Sequence, residues 1–123
     1  MGYEQKFYII RKHKSITDNI LDKKYSYARI IAMVDYSRDN SLADFIDEKG
    51  KDTDSFVYID NPNVPQTTDR YGQQLREIEL GQLLEYLEKN PDENHRLYKP
   101  FLELIRTFKE SNEEDLAVLR YGY

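Results

Sequence analysis

The sequence predicts an α+β domain in which a mainly antiparallel sheet of four to five strands carries a C-terminal helical hairpin on one face. Two patterns lead there: short runs of aromatic and β-branched residues in the first half, and apolar residues at helical spacing in the second. Size adds a third argument. A chain of 123 residues suits one domain, because two halves would each be too small to bury a core, so residues 1–123 are expected to fold as a single unit.

Tyr3 to Arg11, with Phe7, Tyr8, Ile9 and Ile10, reads as the first strand. Lys12 to Ser26 is polar and carries turn chemistry at Thr17, Asp18, Asn19, Asp22, Lys23 and Lys24, so it is expected to be a long hairpin connection tacked down by Ile16, Ile20 and Leu21. Tyr27 to Tyr36 is the clearest strand. Both of its registers stay mostly apolar, which predicts a central strand covered on both faces for part of its length. Ser41 and Asp44 have the spacing of a capping pair ahead of a short helix of about two turns, and Gly50 ends it. Asp52 to Asp54 then reads as a polar turn, Ser55 to Asp60 as a third strand stopped by Asn61 and Pro62, and Asn61 to Gly72 as a loop. Leu75 to Glu79 reads as a weak short strand or an extended lead-in to the next helix.

Leu80, Leu83, Leu84 and Leu87 make one apolar stripe along a helix that Asn90 and Pro91 terminate. Leu97, Phe101, Leu104, Ile105 and Phe108 imply a second helix starting near Tyr98, which puts Pro100 in the first turn, where its missing N–H costs nothing. Leu116 to Tyr121 is the last strand. The closing Tyr121, Gly122 and Tyr123 leave three roles open: capping the core, extending an edge, or entering a second copy in a homodimer.

Composition narrows the chemistry. The chain has no cysteine, so a disulfide framework, a thiolate metal site and a cysteine nucleophile are all excluded. Mean hydropathy is -0.83, yet 11 Tyr and 5 Phe supply more aromatic surface than a disordered chain carries. No apolar run reaches the length of a membrane span, and no export signal is visible at the N-terminus. Gly2 invites myristoylation, but Lys6 stands where that motif needs Ser or Thr. The expected setting is therefore a reducing cytoplasm, with no membrane contact. Net charge is -5, split into +4 over residues 1–38 and -9 over residues 39–123, so the two ends either meet different partners or neutralise each other.

No catalytic constellation emerges. His13 and His95 are the only histidines and have no ligand spacing around them, so no metal or cofactor is expected. None of the serines sits in a nucleophile elbow, and five scattered glycines cannot cradle a phosphate. Arg11, Lys12, His13 and Lys14 abut a strand of aromatics, as a nucleic-acid reader would require. Net negative charge argues against direct nucleic-acid binding, so the stretch reads as a solvated strand end.

Acidic residues are the most informative feature. Asp39, Asp44, Asp47, Glu48, Asp52, Asp54 and Asp60 crowd one segment against Lys49 and Lys51. Such rows either solubilise a surface or imitate the phosphates of a nucleic acid and occupy a basic channel. With Tyr58 and Tyr71, which offer the rigid amphipathic contacts enriched at interfaces, they form the candidate partner-binding set.

In its opening Gly2, Tyr3 and Lys6 to Ile10, its Tyr71, Gly72, Leu75, Glu77 lead-in to the leucine-striped helix, and its terminal Tyr121, Gly122 and Tyr123, the chain resembles the short proteins carried by phages and prophages of low-GC Gram-positive bacteria. The resemblance implies a role against host defence, as in anti-CRISPR proteins, and transfers no site residue. The expectation is a non-enzymatic inhibitor that binds a host defence protein. The alternative is a module, or sponge, for a signalling nucleotide that uses Arg29, Arg38 and tyrosines in an intersubunit pocket.

Overall fold

The computed structural model describes residues 4–36 and 39–123. Its elements are β1 (Gln5–Ile20), β2 (Lys23–Asp35), α1 (Asn40–Lys49), β3 (Lys51–Asp52), β4 (Ser55–Phe56), β5 (Arg76–Ile78), α2 (Leu80–Lys89), α3 (Tyr98–Glu110) and β6 (Leu116–Gly122). They form an α+β fold with one sheet in the order β3-β5-β6-β1-β2-β4. The sheet has six strands, where four to five were expected. It is mixed, because β4 runs parallel to β2 while every other pairing is antiparallel.

The centre of the sheet is β1, flanked by β2 and β6. Phe7, Tyr8, Ile9 and Ile10 are all buried, which an uninterrupted apolar run achieves only when both faces are covered. On one face Phe7, Ile9, Ile78 and Val118 pack with Leu42 and Ile46 of α1, Leu80, Leu83 and Leu87 of α2, and Phe101 and Ile105 of α3. On the other face Tyr8, Ile10, Ala28, Ala117, Leu119 and Tyr121 pack under Val57 and Leu75, which bracket the loop. Each fully buried Leu, Ile or Phe contributes about 1.5–3 kcal/mol, so the helices are held by their stripes and not by helix propensity alone.

Several expectations are corrected. Lys12 to Ser26 is no loose connection: β1 runs on to Ile20, β2 starts at Lys23, and a two-residue turn joins them. That turn places Leu21 (φ 53) and Asp22 (φ 61) in the left-handed region, the backbone twist that a two-residue hairpin needs. The expected central strand, Tyr27 to Tyr36, lies one place out from the centre; β4 covers its outer edge only at Ser26 and Tyr27, and Met33 is 50% exposed. Ser55 to Asp60 ladders only at Ser55 and Phe56, after which Val57 bridges to Gln66. The expected turn at Asp52 is part of β3, paired to Arg76 and Glu77. The cap of α1 is Asp39, whose side chain accepts from the Leu42 amide at 2.9 Å, so Ser41 and Asp44 fall inside the helix. Gly50 closes α1, and α2 and α3 have the predicted extents, with Pro100 in the first turn.

Tyr36 illustrates how tightly the helical side is packed. Its ring stacks on His95 at 3.9 Å and meets Phe101 and Phe7, and it is fully buried. Its hydroxyl has no hydrogen-bond partner among the described residues, and burial pushes its pKa up. An unpaired buried donor costs about 1–3 kcal/mol. Tyr36→Phe should therefore leave stability unchanged or raise it by about 1 kcal/mol in urea denaturation, and a clear loss would mean that the hydroxyl is satisfied after all.

Candidate functional site

The crowded carboxylates do not make one negative row. Asp47 Oδ1 accepts from Arg120 Nη1 at 3.3 Å and Asp52 Oδ1 from Arg76 Nη1 at 2.9 Å. Arg76 also donates through Nη2 to the carbonyls of Asp47 and Gly50, each at 2.8 Å. Arg76 and Arg120 are cross-strand partners, so this pair of guanidinium groups gathers Asp47 and Asp52 and ties the end of α1 to β5 and β6. Glu48 lies 3.7 Å from Lys49, both exposed. Asp39 is spent on the cap, and Asp44 is exposed.

Asp60 lies elsewhere, on the face opposite the helices. It accepts from the Tyr121 hydroxyl, from Gln66 at 3.2 Å and from Arg70 at 3.4 Å. The Tyr121 hydrogen bond, with Gln66 and Arg70, holds its carboxyl below the usual range. Tyr71 follows Arg70 in the loop and is 55% exposed. Tyr121, which sequence spacing did not connect to Asp60, is 1% exposed, and Tyr123 exchanges backbone hydrogen bonds with Glu4. The C-terminal tyrosines therefore cap the core from a central strand instead of extending an edge.

Asp54, itself exposed, reaches a largely buried ion pair that sequence reading missed. Lys12 Nζ binds Glu77 Oε2 at 2.7 Å and Asp54 Oδ1 at 2.8 Å. Thr53 Oγ1 donates to Glu77 Oε1 at 2.9 Å and accepts from the Ser55 amide at 3.1 Å. Burial pushes Asp54 up, but the hydrogen bond and charge of Lys12 outweigh it and the carboxyl ends below its ordinary range; Lys12 ends above its own for the reciprocal reason. Arg11 pairs with Glu113 at 2.6 Å and Lys14 with Asp115 at 3.8 Å. The basic opening and the acidic remainder of the chain thus neutralise each other across the fold.

What projects from this body is the outer half of the β1–β2 hairpin. The β6 ladder stops at Arg11 and Leu116, and β4 reaches only Ser26 and Tyr27. Beyond those points Lys14 to Asn19 and Leu21 to Lys24 are exposed, giving a two-stranded arm that is buried only near its base, at Tyr25. Two apolar residues stand out on it: Leu21 at the turn is 80% exposed, and Ile16, in the irregular stretch nearer the base, is 52% exposed. A leucine in the left-handed region carries a strain of roughly 1–2 kcal/mol, and no Asn-Gly signature announced the turn. At the foot of the arm His13 stacks on Tyr27 at 5.5 Å, Tyr27 meets Phe56 and Tyr58 at 5.7 and 6.2 Å, and Tyr58 is 39% exposed. Asp52 and Asp54 share a shallow cleft there with Lys23, Lys24 and Tyr25.

Of the nine predicted contact residues, the structure thus brings Asp52, Asp54 and Tyr58 to the arm's foot, leaves Asp39, Asp44, Asp47 and Glu48 on or beside α1, and sets Asp60 and Tyr71 on the opposite face. Of the alternative nucleotide residues, Arg29 is exposed on β2 and forms no ion pair among the described residues, while Arg38 lies outside them. No described helix is long and apolar enough to cross a membrane. No protein-family model, curated protein or solved structure matches the chain.

Proposed function

We propose that this chain is a non-catalytic inhibitor of a host-defence protein that grips its partner with the projecting β-arm and the tyrosine-rich surface at its foot. The observation that carries the reading is the arm's tip. Leu21 is 80% exposed and held in a left-handed conformation at the apex of a ribbon that outruns the neighbouring strands β4 and β6. A two-stranded ribbon is at best marginally stable in water, and an exposed leucine adds nothing to folding. Seated in a partner's apolar pocket, Ile16 and Leu21 would each release about 1.5–3 kcal/mol of transfer free energy. Tyr58 and Tyr27 would continue the contact as aromatic anchors. Asp44, exposed on α1, adds negative charge that steers a basic partner. The resemblance to small phage proteins supports a partner from host defence, with a CRISPR nuclease as the favoured case.

The test uses Leu21→Gly. Glycine relieves the left-handed strain, so the variant should be as stable as the parent or about 1 kcal/mol more stable. Its affinity for the partner should fall about thirtyfold, the mark of a hot spot worth 2 kcal/mol. Partner capture from a low-GC Gram-positive lysate, followed by nuclease assays on the retained complex, reads both. No retained defence protein and no inhibition at micromolar concentration, or inhibition undiminished in Leu21→Gly, would overturn the reading.

A further inference from the structure

We propose that the cavity at the end of the sheet where α2 begins binds a small organic phosphate, a site that borders the base of the arm at Lys14 and lies away from its tip. The cavity measures about 320 Å³. Lys12 and Lys14 reach it from β1, and Lys49 and Lys51 from either side of Gly50; Glu77, Glu79 and Asp115 are its carboxylates. In a chain of net charge -5, this is a lining where cations outnumber acids.

Its four lysines are not equivalent. Lys12 is committed to Glu77 and Asp54 and, with Glu77, forms a neutral floor. Lys14 and Lys49 sit in long, exposed pairs, 3.8 Å from Asp115 and 3.7 Å from Glu48. Such pairs are worth about 0–1 kcal/mol, so their ammonium groups can turn to a better anion without loss to the fold. Lys51 forms no ion pair among the described residues. Three flexible point charges can therefore meet one anion, and a phosphate dianion gains more from them than a carboxylate does.

Two features narrow the ligand further. Ile78 and Leu116 give the lining an apolar edge against which a carbon body can rest, while Glu79 at the rim repels a longer polyanion such as a nucleic-acid strand. Gly50 holds the lysine-bearing turn in place. A Cβ there would lie 2.6 Å from the Glu77 carbonyl oxygen, so Lys49 and Lys51 are pinned beside β5 and cannot drift with a loose loop.

The experiment titrates ¹⁵N-labelled protein with adenosine monophosphate, inorganic phosphate and adenosine in parallel at constant ionic strength. Saturable shifts are expected at the amides of Gly50, Lys51 and Gln82, tighter for the nucleotide than for inorganic phosphate and absent for adenosine. The double variant Lys49→Gln, Lys51→Gln should bind about tenfold more weakly with an unchanged melting temperature. Shifts that fail to saturate, that spread equally to Lys23, Lys24 and Arg29, or that persist in the double variant would overturn the site. Equal affinity for phosphate and nucleotide would overturn the organic ligand.

Discussion

Gly50→Ala should cost about 3 kcal/mol, at the upper end of what overpacking costs, and lower the melting temperature by about 10 °C. The backbone conformation is not the cause. Gly50 has φ -81 and ψ -174, extended geometry that alanine adopts freely, and by conformational entropy alone the substitution would stabilise by about 0.4–1 kcal/mol. Contact reverses the sign. The added Cβ would lie 2.6 Å from both the Glu77 and Ile46 carbonyl oxygens, and both belong to backbone that cannot swing away. To make room, α1 must separate from β5. That would break the Gly50 amide bond to the Ile46 carbonyl at 2.8 Å and the fork from Arg76 to the Asp47 and Gly50 carbonyls. Gly72→Ala is the natural comparison, since its φ of +77 imposes strain while nothing lies within 4 Å of the new methyl, and it should cost only about 1 kcal/mol. Thermal and urea denaturation of the two variants would separate crowding from strain. Equal losses would show that the α1–β5 approach is looser than its geometry implies.

Legibility in the sequence followed the range of the interactions. The stripe from Leu80 to Leu87, Pro100 in a first turn and the run from Leu116 to Tyr121 are local patterns, and each predicted its element. Gly50 was legible as a helix stop, although its reason, a carbonyl contributed by Glu77, was not. The arm escaped because its polar residues look like a loop. Alternation is informative only when one face is buried, and from Lys14 to Asn19 neither is. Six strands were read as four to five because β3, read as part of a turn, has two residues and exists only through its pairing with β5, itself a weak three-residue signal. Charge was least legible of all. Asp47, Asp52 and Asp54 look like one acidic row in sequence, and what decides their role is Arg120, Arg76 and Lys12, brought to them from distant strands.

Glu77→Ala should be nearly as damaging as Gly50→Ala, at about 3 kcal/mol. The side chain is 5% exposed and Lys12 10%, so deletion leaves a largely buried ammonium with only the exposed Asp54 to answer it. Breaking one partner of a buried pair costs about 3–5 kcal/mol, and the surviving Asp54 contact puts this case at the lower end. Glu77→Gln keeps an acceptor for Thr53 but removes the charge, so it should recover part of the loss. The pair Lys12→Met, Glu77→Leu should be far less destabilised than the sum of the two single changes, because it leaves no orphaned charge; strict additivity in urea denaturation would refute the coupling. The pH profile supplies an independent check. Asp54 is lowered from 3.8, so the stability it contributes is present above that value and is lost as pH falls through the folded one. Lys12 is raised from 10.5, so its contribution is present below that value and is lost as pH rises through the folded one. Buried Tyr8, pushed up to about 12 by desolvation first and then by neighbouring Tyr121 and Asp60, weakens the fold in the same alkaline direction. The double variant keeps Tyr8 and loses Lys12, so its alkaline decline should be shallower than that of the parent by the lysine's share alone. An identical alkaline arm would mean that the ammonium contributes nothing where it is buried.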